Sequence, residues 1–203
     1  MLEIVDFILH LDKYLSTLAQ SYGSFIYFLL FLIIFAETGF VITPILPGDS
    51  LLFVVGSFCA VNILDVRIVY PALLVASITG NTINYFIGLK FGRKILENTR
   101  LINPKYIEET EKFFAKYGSK AVVISRFLPF FRTFVPFFAG VGKMDVEKYL
   151  FYNVLGGLLW ITGFIFAGYF FGNIPFVKDN FTLFIYGIIV LTVLPGLIKI
   201  VKR

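Results

Sequence analysis

The sequence predicts an all-α membrane protein. It reads as an inverted repeat of interfacial helix, re-entrant hairpin and spanning helix, followed by a C-terminal spanning helix. Three observations predict this. Of 203 residues, 58% are hydrophobic, 15% are charged and 26 are Phe, whereas a soluble domain is usually less than half apolar and about a quarter charged. Two of the long apolar stretches are broken by prolines and charges, and others run uninterrupted. The segments at 65–92 and 145–172 also resemble each other, with DVRIVY and DVEKYL at their starts and GLKFG and AGYFFG at their ends. We read residues 1–203 as one membrane domain, with repeat copies at 3–92 and 104–172 and a last span at 181–198.

Residues 3–18 carry Ile4, Ile8, Leu11, Leu15 and Leu18 at helical spacing, with Glu3, Asp6, Asp12 and Lys13 between them. That pattern suits a helix lying in the membrane interface. The acids stand where a signal peptide needs basic residues, so a cleaved leader is not expected. Residues 25–63 are almost wholly apolar but are interrupted by Glu37, Pro44, Pro47, Gly48 and Asp49. We expect a re-entrant hairpin bending at Pro44, Pro47 and Gly48; the length of this copy leaves open an additional crossing, and with it the side of the N-terminus. Residues 68–89 have no Asp, Glu, Lys or Arg and are long enough to cross a hydrocarbon core of about 30 Å.

Residues 90–120 are polar and basic. Asn103 can cap a helix that starts at Pro104. Glu108, Glu109 and Glu111 fall early in it and Lys112 and Lys116 late, in agreement with the helix dipole. Ile107, Phe114 and Tyr117 form an apolar stripe that would rest this helix on the membrane. Residues 149–172 and 181–198 read as two further spans.

The basic loop and the tail Lys199, Lys202 and Arg203 should be cytoplasmic by the positive-inside rule. The segment 121–142 then starts and ends on the cytoplasmic side and should be a second re-entrant hairpin, bending at Pro129 and Pro136. The repeat agrees, with Asp65 matching Asp145, Val66 matching Val146, Gly88 matching Gly168, Phe91 matching Phe171 and Gly92 matching Gly172. Inverted repeats with broken helices are a transporter signature, with the substrate site near mid-membrane.

The two broken segments carry charges of opposite sign: Glu37 and Asp49 in the first, Arg126 and Arg132 in the second. An ionised group at mid-bilayer costs about 2.5–3.5 kcal/mol on insertion scales. Pairing, water or a protein-lined cavity must offset that cost. One reading is structural, with the acids neutralising the arginines and holding the hairpins together. Buried pairs stabilise poorly compared with apolar packing, which favours a functional reading. Arginine stays charged and forks onto phosphate or carboxylate, so Arg126 and Arg132 are the expected binders of an anionic headgroup. Protonation of Glu37 or Asp49 would release an arginine and couple transport to protons. Asn81, Thr82, Asn84, Asn153 and Thr162 are expected to make interhelical hydrogen bonds, and Trp160 to serve packing. The single Cys59 and lone His10 fit no metal site, and no cofactor is expected.

These motifs resemble the DedA family, also called the SNARE-associated or VTT-domain family. The resemblance covers residues 20–175 and rests on ETGFVITPILPGDSLL at 37–52, GN-x-x-NY-x-IG at 80–88 and SRFLPFFRTFVPFFAGVGKM at 125–144. It implies a polytopic inner-membrane protein with two facing re-entrant hairpins and a cytoplasmic C-terminus. It also implies lipid movement: recycling of the undecaprenyl phosphate carrier in some members, phospholipid scrambling in others. The family's membrane-embedded acids match Glu37 and Asp49, and its arginines match Arg126 and Arg132, in proton-dependent activity. The leading expectation is therefore a non-enzymatic flippase for an anionic lipid. The alternatives are a proton or ion antiporter, an intramembrane lipid phosphatase and an assembly scaffold. No nucleic-acid partner is expected, and a homo-oligomer is left open.

Overall fold

A computed structural model describes residues 23–39, 48–97, 104–129 and 131–175. The expected interfacial helix at 3–18, the bends at Pro44 and Pro47 and the span at 181–198 lie outside the described residues. The described chain is all helical: α1 (Phe25–Gly39), α2 (Gly48–Ala60), α3 (Val66–Glu97), α4 (Pro104–Tyr117), a short α5 (Ala121–Ile124) between two 3₁₀ turns (Gly118–Lys120 and Ser125–Phe127), α6 (Phe131–Val141) and α7 (Val146–Gly172).

Two of these helices have an apolar stretch long enough to cross a bilayer, Val66–Gly92 and Val146–Gly172, each of 27 residues, or about 40 Å at 1.5 Å per residue. The first span runs on to Glu97, beyond the expected end at 89, because residues 90–97 contain no proline to stop it. By contrast α1 and α2 have 15 and 13 residues, and a helix needs about 20 to span. Within the stretch 25–63 the described residues thus form two helices, each too short by itself to span. Gly48, an expected bend, is the first residue of α2.

The chain divides into two compact units. Of the described residues, the first takes 23–30, 48–72 and 161–175, and the second takes 31–39 and those between 73 and 160.

In the first unit α2 packs on the 161–172 part of α7 through glycines. A Cβ on Gly56 would lie 2.1 Å from the Ile165 carbonyl oxygen, and one on Gly168 would lie 2.0 Å from that of Phe53. Only glycine permits so close a backbone approach. The Ser57 hydroxyl sits at the same seam, 3.0 Å from the Gly168 carbonyl. Past α2 the chain turns at Asn62 with φ 59°, and the Ile63 amide closes the helix onto the Phe58 carbonyl at 2.9 Å. Asp65 then caps α3 by accepting from the Arg67 amide at 2.8 Å.

The second unit repeats these devices with its own residues. There α6 packs on α3, where a Cβ on Gly140 or Gly88 would lie 2.0 Å from the carbonyl oxygen of Tyr85 or Phe137. Past α6 the chain turns at Lys143 with φ 51°, and the Met144 amide closes onto the Ala139 carbonyl at 2.9 Å. Asp145 caps α7 by accepting from the Lys148 amide at 2.9 Å. Asp65, Asp145, Gly88 and Gly168, which match in sequence, thus serve matching roles: the aspartates are helix caps, each worth about 1 kcal/mol, and the glycines are contact points.

The expected bends of the second hairpin differ in outcome. The chain breaks at Leu128, which is extended at φ −119°, ψ 103°, and at Pro129. Pro136 lies inside α6 and does not end it. Its ring removes the bond to the Arg132 carbonyl four residues back, a defect that one helix in a packed unit absorbs. The apolar stripe of α4 also differs from expectation. It faces the protein: Ile107 and Phe114 pack against the Phe134, Phe137 and Phe138 cluster, and Phe113 stacks on Phe131 at 4.4 Å.

Candidate functional site

The second unit contains a buried polar layer. Ser77, Asn81 and Asn84 recur on one face of α3, and Tyr149, Asn153 and Trp160 on one face of α7, all fully buried. Spacings of three, four and seven residues keep each set on one side of its helix. Hydrogen bonds account for their burial, since a buried polar group without a partner costs about 1–3 kcal/mol. The Tyr149 hydroxyl donates to the Asn81 carbonyl at 2.7 Å. The Asn84 amide donates to the carbonyls of Thr133 at 2.8 Å and Thr38 at 3.4 Å, linking α3 to α6 and α1. The interhelical role expected for these asparagines is what the structure gives them.

The two arginines sit in this layer with different partners. Arg132, 4% exposed in the first turn of α6, donates through Nη2 to Glu37 Oε1 at 2.5 Å; Glu37 is 1% exposed in the last turn of α1. Each charge stands at the helix end that its dipole disfavours, a carboxylate at a C-terminus and a guanidinium at an N-terminus. Their pairing offsets both. The Arg132 guanidinium also lies 4.9 Å above the ring of Trp160, a favourable cation–π contact. Sequence reasoning gave Trp160 only a packing role and missed this contact.

Arg126, 0% exposed, lies in the last 3₁₀ turn before the break. Its Nη2 donates to Asn153 Oδ1 at 2.5 Å, with the carbonyls of Asn153 and Ser77 at 3.3 and 3.4 Å. With the Asn81 amide oriented to donate to the Thr38 carbonyl at 3.1 Å, its oxygen is a further acceptor for Nη2 at 3.2 Å. Among the described residues no carboxylate reaches Arg126, and its Nε and Nη1 have no hydrogen-bond partner. Sequence reasoning also missed the link to Asn153. The available signal was an asparagine placed mid-span on the same helix face as two glycines and the lone tryptophan.

The structure thus joins one expected acid–arginine pair, Glu37 with Arg132. Asp49 belongs to the first unit, in the first turn of α2, where a carboxylate complements the helix dipole. Of the proposed bend residues, Pro129 lies at the break beside Arg126 and Pro136 follows Arg132 within α6.

Residues 46–170 match the VTT domain family. Protein DedA of Escherichia coli K12 is 47% identical over 98% of this chain and 93% of its own length. The chain belongs to the DedA family. Other DedA relatives include the uncharacterized membrane protein ML0287 of Mycobacterium leprae, 41% identical over 82% of this chain and 75% of that protein. The inner membrane protein YghB of Salmonella typhimurium is 33% identical over 77% and 73%. No solved structure matches the chain. Membership agrees with the all-helical fold and its two membrane-length helices.

Proposed function

We propose that this DedA-family protein is a non-enzymatic, multi-pass transporter that moves a lipid with an anionic headgroup across the membrane. Undecaprenyl phosphate and phospholipids are the candidate cargoes. One observation carries the reading: Arg126 is fully buried, held among the described residues by neutral acceptors, and shares its unit with the Glu37–Arg132 pair. A guanidinium without a counter-charge is costly to bury, and a phosphate is the ligand its planar donors fit. Protonating Glu37 would free Arg132 to join Arg126 on the headgroup, and loss of that proton would eject the headgroup. This is the proposed basis of proton coupling, with Asp49 as a second candidate carrier. Similarity to the inner membrane protein YghB supports placement in the inner membrane, and the basic 90–120 segment supports a cytoplasmic C-terminus.

The test is reconstitution of the full chain in vesicles containing labelled phosphatidylglycerol, labelled phosphatidylethanolamine or a polyprenyl phosphate, with and without an imposed pH gradient. Accelerated movement of an unaltered anionic lipid, lost in Arg126→Ala and Arg132→Ala compared at equal amounts of folded protein, is the expected result. Proton or cation flux without lipid movement would make the protein an antiporter. Released phosphate would make it an enzyme.

A further inference from the structure

We propose that Asn153 is a positioning residue whose neutrality keeps Arg126 available to the anionic headgroup. The inference rests on the transport reading and specifies how the anion receptor of that site is held.

The shortest contact to Arg126 comes from Asn153 Oδ1, at 2.5 Å. The Asn153 amide is itself fixed, because its Nδ2 donates to the Ile78 carbonyl and to Thr82 Oγ1, both at 3.0 Å. Thr82 in turn donates to the Ile78 carbonyl at 2.7 Å. With the nitrogen committed to acceptors on α3, the oxygen must point at Arg126. The other acceptors at Nη2 are the carbonyls of Ser77 and Asn153 and the Asn81 amide oxygen. All of them are dipoles that orient the guanidinium and leave its charge intact. One turn along α7, Gly156 gives the arginine stem its room: a Cβ there would lie 2.9 Å from Arg126 Cδ and 3.1 Å from Nε.

The contrast with Arg132 carries the argument. In the same unit that guanidinium has a carboxylate, Glu37, on its Nη2. At position 153 an aspartate would give Arg126 a carboxylate as well, but its second oxygen would meet the Ile78 carbonyl and Thr82 Oγ1 to which Nδ2 now donates. The bond from Arg126 to Asn153 is already charge-assisted, and its amide acceptor leaves the guanidinium charge uncancelled. An amide holds the side chain in place and does not compete with a phosphate for its charge. Nε and Nη1, which have no partner among the described residues, are then the donors left for headgroup oxygens.

The experiment compares wild type, Asn153→Asp, Asn153→Ala and Arg126→Ala as full-length chains. Thermal stability and the half-saturating mole fraction of the labelled lipid are measured in the same vesicles. Asn153→Asp and Asn153→Ala are both expected to melt lower, because each loses the Nδ2 donor to the Ile78 carbonyl and Thr82. Only Asn153→Asp is expected to raise the half-saturating lipid fraction, at least about tenfold above that of Asn153→Ala. Like losses of stability with unlike losses of affinity are a split that a merely structural role cannot produce. If Asn153→Asp transports like wild type while Arg126→Ala does not, this inference is overturned and the transport reading stands. If the two Asn153 variants lose affinity alike, Asn153 is only a strut. A wild-type protein that moves none of the lipids refutes the transport reading and this inference with it.

Discussion

The Glu37–Arg132 pair gives the sharpest test of the buried layer. Glu37→Gln removes one charge and leaves the Arg132 guanidinium 4% exposed without its carboxylate. Breaking a buried pair from one side costs about 3–5 kcal/mol. Glutamine retains an acceptor oxygen, so we expect the lower end, about 3 kcal/mol. For a chain of this length that is a fall in melting temperature of roughly 6–12 °C. Arg132→Met should cost a similar amount by taking the guanidinium away from the buried carboxylate. The double variant Glu37→Gln, Arg132→Met removes both charges. It should lose less than the two single losses combined, with a coupling of about 2 kcal/mol. Unfolding can be followed through the lone Trp160, whose ring lies 4.9 Å from the guanidinium. Its emission should therefore shift in both single variants before any melting. Single variants that melt within about 0.5 kcal/mol of wild type, the range of an ordinary surface change, would refute the reasoning. So would a double variant whose loss is the sum of the singles.

Two further predictions follow from packing and from the membrane-external helix. Gly140→Ala places a Cβ 2.0 Å from the Tyr85 carbonyl and should cost about 1–3 kcal/mol or more by forcing α6 off α3. Gly163→Ala, with nothing within 4 Å, should be neutral or stabilise by up to about 1 kcal/mol; equal melting temperatures for the two would contradict the glycine seam. On α4 the Lys112 ammonium, 2.6 Å away, holds the Glu108 carboxyl below its ordinary pKa through a hydrogen bond and its charge. A depressed carboxyl pKa adds stability above the unfolded value, lost as pH falls through the folded one. Lys112→Ala should return the Glu108 titration toward normal in a carboxyl NMR titration, with little effect on melting because the pair is exposed.

Sequence reasoning reached the all-helical class and the two membrane-length helices because those signals are local. Spanning length and the matched Asp and Gly positions each depend on a few neighbouring residues. What it missed depends on which helix faces meet. The stripe Ile107, Phe114 and Tyr117 suits a membrane surface or a protein surface equally, and only the aromatic residues of α6 decide between them. Pro136 looked like a bend because proline removes a helix bond, yet packing of its neighbours holds α6 through it. Asn153 and Trp160 carried no charge to draw attention, although their positions on α7 place them against the two arginines.

The fold treats two arginines six positions apart in opposite ways, and that asymmetry bears on mechanism. If both served only to tie helices, the same solution would suit both, because each is fully or nearly fully buried. One is paired with a carboxylate, which on the proposed transport reading a proton switches off. The other is oriented by amides and carbonyls, which no change of pH within the physiological range removes. A site with one constant and one conditional positive charge can hold an anion loosely in one protonation state and tightly in the other. Alternating access requires that difference, since a ligand shifts an equilibrium only by its differential affinity for the two states. On that reading, two permanently paired arginines would never grip an anion, and two permanently free ones would never let it go.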